Sequence, residues 1–574
     1  MSSMKTAPVP RRNATLPLRD PSAPPSGSTA RSSAVIAAGT VVSRILGLVR
    51  TALLATAIGA SGGVSDLFSA ANSLPNFIYL MVAGGVFNAV LVPQIVRASR
   101  QPDRGADYVS RLLTLTAGAL LVLTVLATLA APVLVRLATG FTDAQLALAV
   151  TLAYWCLPQI FFYGMYAVIG QILNANGSFG PYMWAPVVNN IVSIGTLLAF
   201  LALMGAEQAE GHSAQTWTTA QTVLLAGGTT LGIILQALVL LLPLRRLNLG
   251  LKPKYGIRGM GLGRTARLAS VTIITMFVGN GLYFVNVRIA TIATNAREEL
   301  AAQDPPVEIA GLTNLDIAVM VYQLPHAVIA LSLATVMFNQ LSSAYAGGDL
   351  PAVRAILSQG LRITGVATVF GAAALLAFAG PLGMLFSESP GVTAINGTII
   401  AILAVGAPFL SANFFLNRVF YAGEDVKTPL TIQLILSVVG VLLAVAAGQF
   451  EPRFIVPMLA AAYSLGNVTA VVVSHVFLQR SIGSYGAGHI FDVHVRLTAA
   501  GIAAALAGAG LCWGFGGYDA GGYLWQSKLH AVVVLAMGGV LMLAVYLGML
   551  RLLRVAELGQ LTGSLLSRFR RSGS

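Results

Sequence analysis

Long apolar runs recur along the whole of this 574-residue chain. An apolar run of about 18 residues or more crosses the hydrocarbon core of a bilayer as an α-helix. Only 9% of the residues are charged, whereas soluble domains carry about 25%, so an ordinary water-facing surface is excluded. A membrane β-barrel would show alternating segments of roughly ten residues instead. The sequence therefore predicts an all-α polytopic membrane protein.

The apolar runs indicate about fourteen transmembrane helices. Most connections are short and rich in Gly, Ser, Asn and Pro, which is typical of turns between helices. The predicted helices cover about 33–58, 66–97, 110–136, 146–174, 181–205, 218–244, 268–294, 313–343, 355–385, 394–421, 428–449, 455–479, 494–516 and 529–553.

The basic residues predict the orientation of these helices. About 25 of the 34 Lys and Arg residues fall on one side, in the N-terminal tail, the segments 97–111 and 245–267, the C-terminal stretch and smaller connections. About four fall on the other side: Arg136, Arg297, Arg453 and Lys528. Since Lys and Arg are enriched in cytoplasmic loops, both termini are predicted to be cytoplasmic. The excess of Lys and Arg on the cytoplasmic side accounts for the net charge of +14. These residues can also contact anionic membrane lipids, so binding to nucleic acid is not needed to explain the charge.

Two features recur about 250 residues apart. Leu74-Pro75 is matched by Leu324-Pro325, and the turn that ends at Pro181 is matched by the turn that ends at Pro429. The repeat predicts two six-helix bundles in parallel orientation plus two C-terminal helices, and such halves place a substrate between them and alternate its access. The predicted parts are a disordered basic cytoplasmic tail (1–32), an N-terminal bundle (33–246), a basic cytoplasmic linker (247–267), a C-terminal bundle (268–480), two extra helices (481–556) and a basic cytoplasmic tail (557–574).

Arginines inside the predicted helices indicate the site. Arg44 lies near the middle of helix 1, where an Arg costs roughly 2.5–3.5 kcal/mol on insertion scales and therefore usually faces a polar cavity. Arg50 lies about 120° around the same helix, so the two can line one wide cavity without gripping as a tight pair. Arg288, in helix 7, is a further binding candidate, whereas Arg362 and Arg418 lie near cytoplasmic ends and can snorkel.

Acidic residues are scarce in the predicted helices. Asp66 and Asp316 lie near external helix ends, and no carboxylate falls at the predicted midplane. Arg without a deep acid suits an anionic ligand such as a diphosphate, which Arg binds bidentately. No nucleotide loop, metal motif or nucleophile-with-base pattern is present, so we expect a transporter with no cofactor rather than an enzyme. Pro75 and Pro325 are expected to kink helices and to serve as hinges or gates.

Four segments of the chain are distinctive: GTVVSRILGLVR (39–50), SDLFSAANSLPNFIYLMVAGGVFNAVLVPQIV (65–96), ILNANGSFGPYMWAPVVNNI (172–191) and NRVFYAGEDVKTP (417–429). Together they resemble the MurJ (MviN) family of lipid II flippases. The resemblance extends from about 36 to 480 and implies the multidrug/oligosaccharidyl-lipid/polysaccharide exporter superfamily, with fourteen helices in a 6+6+2 arrangement. It also implies a location in the bacterial cytoplasmic (inner) membrane.

The resemblance implies roles for particular residues. Arg44 and Arg50 match the helix 1 arginines of the family's central cavity, and Asp66 matches the acid that begins helix 2; all three are expected to bind substrate. Asp425 and Lys427 match the turn between helices 10 and 11, where we expect a hinge or gate. The chain departs from well-studied Gram-negative members, and is similar to actinobacterial members, at three points. Tyr79 and Leu80 in helix 2 and Met320 in helix 8 stand in place of cavity arginines, and Gly84 in place of a Glu. Helix 7 carries Asn286 where many members have an acid, which weakens any sodium site there.

The sequence thus leads to one leading hypothesis and two alternatives. The first is alternating-access flipping of lipid II, the undecaprenyl-diphosphate-linked disaccharide-peptide, from the cytoplasmic to the outer leaflet, with the diphosphate held by cavity arginines. Coupling is expected to use the membrane potential or a monovalent cation. The alternatives are export of another polyprenyl-diphosphate-linked polysaccharide, and a scaffold that recruits cell-wall synthesis proteins without transport.

Overall fold

A computed structural model describes most of the chain. The described residues are 27–81, 95, 98, 103, 105–206, 212–256, 262–301, 307–327, 331–387, 389–517, 519 and 521–559. Most of the two predicted tails, Gly84 and part of the predicted linker lie outside these residues.

The described residues form helices and turns without a strand. We number the helices by span; three spans are given as two consecutive helices, and α6 contains a π-type turn at Val223–Gly227 and a turn at residues 239 and 240. The helices are α1 (Gly27–Ile58), α2 (Gly63–Tyr79), α3 (Ala106–Leu129, then Ala131–Ala138), α4 (Asp143–Cys156, then Gln159–Ala175), α5 (Phe179–Met204), α6 (Thr219–Arg246), α7 (Leu262–Ala301), α8 (Leu312–Tyr322, then Leu331–Ala346), α9 (Leu350–Ala377), a short helix (Ala379–Leu385), α10 (Pro390–Ala422), α11 (Lys427–Ala447), α12 (Pro452–Ile482), α13 (Ala487–Gly514) and α14 (Lys528–Leu552).

Within the described part of the chain, twelve helices are long and apolar enough to cross a membrane. They correspond to every predicted span except those of α2 and α8. The structure describes α2 over a shorter length than predicted, and it breaks α8 into two parts. The all-α polytopic fold with about fourteen spans is therefore confirmed.

Proline explains where the observed helices differ from the predicted ones. The span predicted at 110–136 breaks at Ala130, because Pro132 occupies the first turn of the next helix, where its missing N–H does no harm. The span predicted at 146–174 breaks at Leu157–Pro158 for the same reason. Other ends lie beyond the predictions: α1 begins at Gly27, inside the predicted tail, and α13 begins at Ala487.

The two halves of the chain pair their helices in the same way. In the N-terminal half α1 packs on α5, α2 on α4, and α5 on α6. In the C-terminal half α7 packs on α11, α8 on α10, and α11 on α12. Each pair in the second half involves helices six places later in the chain, as expected for a parallel repeat of six helices. The boundaries proposed for the bundles stay a prediction.

The last two helices pack against the C-terminal half. Helix α13 lies on α9 and on α14, and the short helix before α10 also contacts α14. Beyond α14, Glu557 is buried and pairs with Arg362 of α9, which also contacts His489 of α13. The sequence predicted that Arg362 lies near a helix end and can snorkel. In the structure its guanidinium is paired with a buried carboxylate.

The helix ends define two faces of the bundle. We call the face that carries the segments 247–256 and 423–426 the basic face, and the face that carries 59–62, 139–142 and 448–451 the opposite face. The backbone N–H of Lys252 donates to Ser110 at the start of α3, so the basic segment after α6 lies against α3. The sequence predicts that the basic face is cytoplasmic.

Candidate transport site

Helix α1 is anchored to α5 on one side. The Asn190 amide of α5 donates to the Ser43 carbonyl at 2.9 Å and to the Ser43 hydroxyl at 3.3 Å. Arg50 lies seven residues after Ser43, within about 20° of it around the helix. It is half-buried on this side of α1, within electrostatic reach of Tyr163 of α4. Arg50 therefore faces the interior of the N-terminal half.

Arg44 points in a different direction. It lies seven residues before Thr51, so the two share one side of α1. The Thr51 hydroxyl is 3.5 Å from the Met320 sulfur of α8. This side of α1 therefore faces the C-terminal half, and the Arg44 side chain is exposed there. Among the described residues, no carboxylate lies within 4.0 Å of the Arg44 or Arg50 guanidinium.

Tyrosines surround the side of the N-terminal half that Arg50 faces. The rings of Tyr79 and Tyr163 stack with centroids 6.0 Å apart, and those of Tyr166 and Tyr182 stack at 4.8 Å. The Tyr166 hydroxyl also donates to the Tyr182 carbonyl at 3.2 Å. These four residues form an aromatic wall from α2, α4 and α5. The sequence did not predict this wall. The one signal near it was Leu80, which follows Tyr79 and stands where other family members have a cavity arginine.

Asp66 lies in a buried ion pair at the opposite face. Its side chain is 0% exposed and 3.1 Å from the guanidinium of Arg297 in α7, which is 10% exposed. The Thr294 hydroxyl donates to the same carboxylate at 2.6 Å, and the backbone N–H of Thr313 donates at 2.8 Å. Asp66 thus joins α2 of one half to α7 and α8 of the other. Its predicted contact with substrate stays a prediction, and this geometry gives it a defined role in closing the opposite face.

Arg288 joins the same two halves nearby. Its guanidinium donates to the Thr139 carbonyl at 2.5 Å and to the Arg136 carbonyl at 3.3 Å, at the end of the second helix of α3. Cations are favourable at helix C-termini, where backbone carbonyls lack partners. The Asn295 amide donates to the Gly140 carbonyl at 2.7 Å beside it. Arg288 is therefore bound to backbone in this conformation, and substrate binding by it stays a prediction.

A third set of contacts completes the closure of the opposite face. The Ser61 hydroxyl, between α1 and α2, is 3.1 Å from the Asn314 side-chain oxygen at the start of α8. The Asn314 amide donates to Asn396 of α10 at 2.9 Å, deep in the bundle. The halves are thus joined at the opposite face by polar groups from α2, α3, α7 and α8 and from the connection between α1 and α2.

The two predicted hinge prolines lie at irregular points of their helices. Helix α2 continues past Pro75 and changes to a π-type turn at residues 80 and 81. The first part of α8 ends at Tyr322, and a π-type turn follows Pro325 at His326. His326 contacts the Ser411 hydroxyl of α10 at 3.1 Å. Because a π-type turn replaces the i→i+4 hydrogen bonds of the α-helix with i→i+5 bonds and is a common place for a kink, both sites can bend, and their role as hinges stays a prediction.

The turn with Asp425 and Lys427 begins α11 at the basic face. The Asp425 carboxylate accepts hydrogen bonds from the backbone N–H groups of Lys427 and Thr428, each at 3.0 Å. Partial burial opposes its ionisation, but these bonds and the Thr428 hydroxyl hold the pKa of Asp425 below its usual value. Lys427 is exposed. The turn is thus a helix start fixed by its own carboxylate, and a gating role for it stays a prediction.

An apolar cavity of about 430 Å³ opens between α1, α8 and α14. Leu48, Ala52 and Leu324 are among its lining residues. Lys528, at the start of α14, also lines it and donates to the Thr56 hydroxyl of α1 at 3.0 Å. The cavity therefore lies at the edge of the space between the halves, with a cation at its opposite-face end. Across the described part of the chain, no group of three His, Cys, Asp or Glu side chains is placed to hold a metal ion.

Comparison with known proteins identifies the family. Residues 54–544 match the family model described as lipid II flippase MurJ. The chain belongs to the MurJ family. It is 28% identical to the lipid II flippase MurJ of Burkholderia cenocepacia over 527 residues, which cover 89% of this chain and 95% of that protein. It is also 28% identical over 428 residues to a protein of Rhizobium meliloti named "Probable lipid II flippase MurJ", covering 73% of this chain and 75% of that one.

Solved structures show the same fold. A MurJ structure described as an inward closed conformation matches with a TM-score of 0.66 and 20% identity, covering 90% of this chain and 99% of that one. A multidrug resistance MATE transporter of the MOP superfamily, in an inward-facing conformation, matches with a TM-score of 0.62 and 16% identity, covering 77% and 95%. The resemblance to the MurJ family read from the sequence is therefore confirmed, together with the superfamily fold.

Proposed function

We propose that this MurJ-family protein flips lipid II across the bacterial cytoplasmic membrane by alternating access. The observation that carries the proposal is the position of Arg44. Its exposed guanidinium lies on the side of α1 that faces the other half, with no described carboxylate within 4.0 Å. A cation kept in such a place within a membrane is a functional-site candidate by default.

The ligand that fits this position is a diphosphate. The planar guanidinium donates two parallel hydrogen bonds to phosphate oxygens, which fixes the orientation of the group as well as its charge. Arg50 and the aromatic wall continue the surface into the N-terminal half. Met320 and Leu80, in place of arginines, leave fewer cations around the diphosphate. We therefore assign most of its binding to Arg44 and Arg50.

The lipid tail needs a route that never leaves an apolar environment. The cavity between α1, α8 and α14 borders the same side of the bundle and is lined mainly by apolar side chains. Moving a long polyprenyl chain into water would expose many methylene groups, each costing about 0.8 kcal/mol. We propose that the tail follows this cavity while the sugar-peptide head passes between the halves.

The direction of transport follows from which face is closed. We take the basic face as cytoplasmic, so both termini lie in the cytoplasm. The ion pair between Asp66 and Arg297 then closes the external face in this conformation. Lipid II enters from the cytoplasmic leaflet, and rocking of the halves opens the external face for its release.

Complementation tests the proposal. The native protein is depleted, Arg44→Ala or Arg50→Ala is supplied at equal expression, and externally accessible lipid II is measured. We expect each variant to lower this lipid II at least tenfold. Arg453→Ala is the matched control, because Arg453 is exposed at the opposite face and pairs with exposed Glu451. Normal lipid II exposure in both cavity variants would refute the mechanism.

The same experiment separates the two alternatives. If another polyprenyl-linked saccharide accumulates inside the depleted cells while lipid II exposure stays normal, the cargo is that saccharide. If Arg44→Ala grows normally but deletion of the whole protein displaces cell-wall synthesis proteins, the chain acts as a scaffold.

A further inference from the structure

Asp316 is a half-buried carboxylate of α8 at the contact between the two halves. It lies one helical turn after Thr313, whose backbone N–H binds Asp66. The Ser69 hydroxyl of α2, in the other half, donates a hydrogen bond to it. Among the described residues, no Lys or Arg nitrogen lies within 4.0 Å of this carboxylate. Asp316 therefore differs from Asp66, which has its own arginine.

The groups around Asp316 do not neutralise it. Asp66 is the nearby acid on α2, and its charge is already compensated by Arg297 of α7. Tyr283 of α7 and Tyr463 of α12 also lie within electrostatic reach. The Tyr283 hydroxyl donates to Ser73 of α2 at 2.9 Å, and the Tyr463 hydroxyl is hydrogen-bonded to Asn286. Within the described part of the chain, the surroundings thus offer polar neighbours but no Lys or Arg nitrogen within 4.0 Å of the Asp316 carboxylate.

We propose that Asp316 binds a proton when the opposite face closes, and that this proton couples alternating access to the ion gradient. An ionised carboxylate without a cation is costly in a buried interface, and a proton removes that cost. When the halves separate at the opposite face, Ser69 leaves Asp316 and water hydrates the ionised form. The closed state therefore favours the protonated acid, and the open state favours the ionised one.

The geometry favours a proton over a metal cation. A hard cation such as Na⁺ is held by several oxygen ligands. Among the described residues, Ser69 supplies the hydroxyl that hydrogen-bonds Asp316, whereas the Tyr283 and Tyr463 hydroxyls bond to Ser73 and Asn286. One carboxylate with a hydroxyl neighbour is sufficient for a proton.

This inference rests on the proposed function and adds the coupling ion to it. After lipid II is released at the external face, a proton from outside binds Asp316 and favours return to the closed state. Release of the proton towards the cytoplasm completes the cycle. One positive charge then moves inward for each lipid II moved outward, which the membrane potential favours.

Distance measurement between the halves tests the inference without lipid II. Nitroxide labels are placed at Ala144→Cys and Gln449→Cys, which are exposed at the opposite face on different halves, in full-length protein with Cys156→Ala and Cys512→Ala. The protein is reconstituted in lipid nanodiscs, and distances are measured by electron paramagnetic resonance from pH 5.5 to 8.5. A single proton changes the ratio of open to closed protein by at most tenfold per pH unit.

We expect the parent protein to open as the pH rises, and Asp316→Asn to stay closed at every pH. Asp316→Glu keeps an ionisable acid, so it should recover the pH dependence and shows that loss of response is not misfolding. The matched control is Asp349→Asn, an exposed helix cap on the basic face that should leave the response unchanged. A pH-independent parent protein, or pH dependence retained in Asp316→Asn, would overturn the inference.

Two further arms distinguish the causes of failure. Exchange of K⁺ for Na⁺ at constant pH should have no effect, and a shift that Asp316→Asn abolishes would mean a sodium site instead of a proton site. In cells, Asp316→Asn should lower externally accessible lipid II. If it does not, while Arg44→Ala does, proton coupling fails but the flippase proposal stands.

Discussion

The ion pair between Asp66 and Arg297 allows a quantitative test of how the opposite face closes. Arg297 also donates to the Gly62 carbonyl at 3.0 Å, so it holds the connection between α1 and α2 as well as the carboxylate. Arg297→Met keeps most of the side-chain length and removes the charge. The Asp66 carboxylate, 0% exposed, would then be buried with hydrogen bonds from Thr294 and Thr313 alone.

The expected size of the effect follows from this burial. Removing one partner of a buried pair costs about 3–5 kcal/mol, because the other charge is left uncompensated. In the open state water hydrates the Asp66 carboxylate, so the loss of Arg297 raises the free energy of the closed state more than that of the open state. Since 1.4 kcal/mol is a factor of ten, even the lower figure shifts the ratio of open to closed protein about 100-fold.

The spin-labelled pair at positions 144 and 449 measures this ratio. We expect Arg297→Met to move the distance distribution towards open protein. The double variant Asp66→Asn/Arg297→Met should recover most of the closed population, because a neutral amide oxygen still accepts from Thr313 and no charge remains buried. If Arg297→Met leaves the distribution of the parent protein unchanged, the pair does not stabilise closure. If the double variant opens as far as the single one, the uncompensated charge is not the cause.

Three further results are expected. Gly311→Ala should open the opposite face without changing any charge, because its Cβ would lie 1.9 Å from the Arg297 guanidinium and 2.0 Å from the Asp66 carboxylate. The same distance measurement between positions 144 and 449 detects the opening. Gly195→Ala is the control, because no atom lies within 4 Å of the added Cβ. Arg44→Lys should lower externally accessible lipid II about tenfold, less than Arg44→Ala, because a lysine keeps the charge but not the planar fork. Asp425→Ala should lower the free energy of unfolding by about 1 kcal/mol through the lost helix start, measured by thermal unfolding. The lowered pKa of Asp425 means that this contribution is full above pH 3.8 and fades as the pH falls below it, so Asp425→Ala and the parent protein should converge in acid.

Much of the architecture could be predicted because it depends on local rules. Length and apolarity fix the spans, and the repeated turns before Pro181 and Pro429 reveal the two halves. The helical period also placed Arg44 and Arg50 on different sides of α1, and the structure puts them towards Met320 and Tyr163 respectively. These features need only the residue spacing of one helix.

The contacts between the halves could not be predicted in the same way. Asp66, Arg297 and Thr313 are far apart in the chain, and nothing in their local sequence says that they meet. Each of them lies near a helix end at the opposite face, where its own helix gives no indication of a partner in the other half. The contact between Arg288 and the Thr139 carbonyl could not be predicted for another reason. Every residue has a backbone carbonyl, so the sequence does not indicate which one an arginine binds.

The chemistry of this contact suits a surface that must open and close repeatedly. The polar part of this contact consists of hydrogen bonds and an ion pair, which water replaces when the halves part, so each bond contributes only about 0.5–1.5 kcal/mol net. An apolar contact of the same area would lose about 25 cal/mol for every Å² that opening exposes. The packing of α13 and α14 on α9 is of that apolar kind, with Leu497 and Val534 buried. The polar contacts of the opposite face therefore add little to the cost of separating the halves, and the C-terminal helices stay attached to their half. Asp316 adds control to this face, because its protonation decides how favourable closure is.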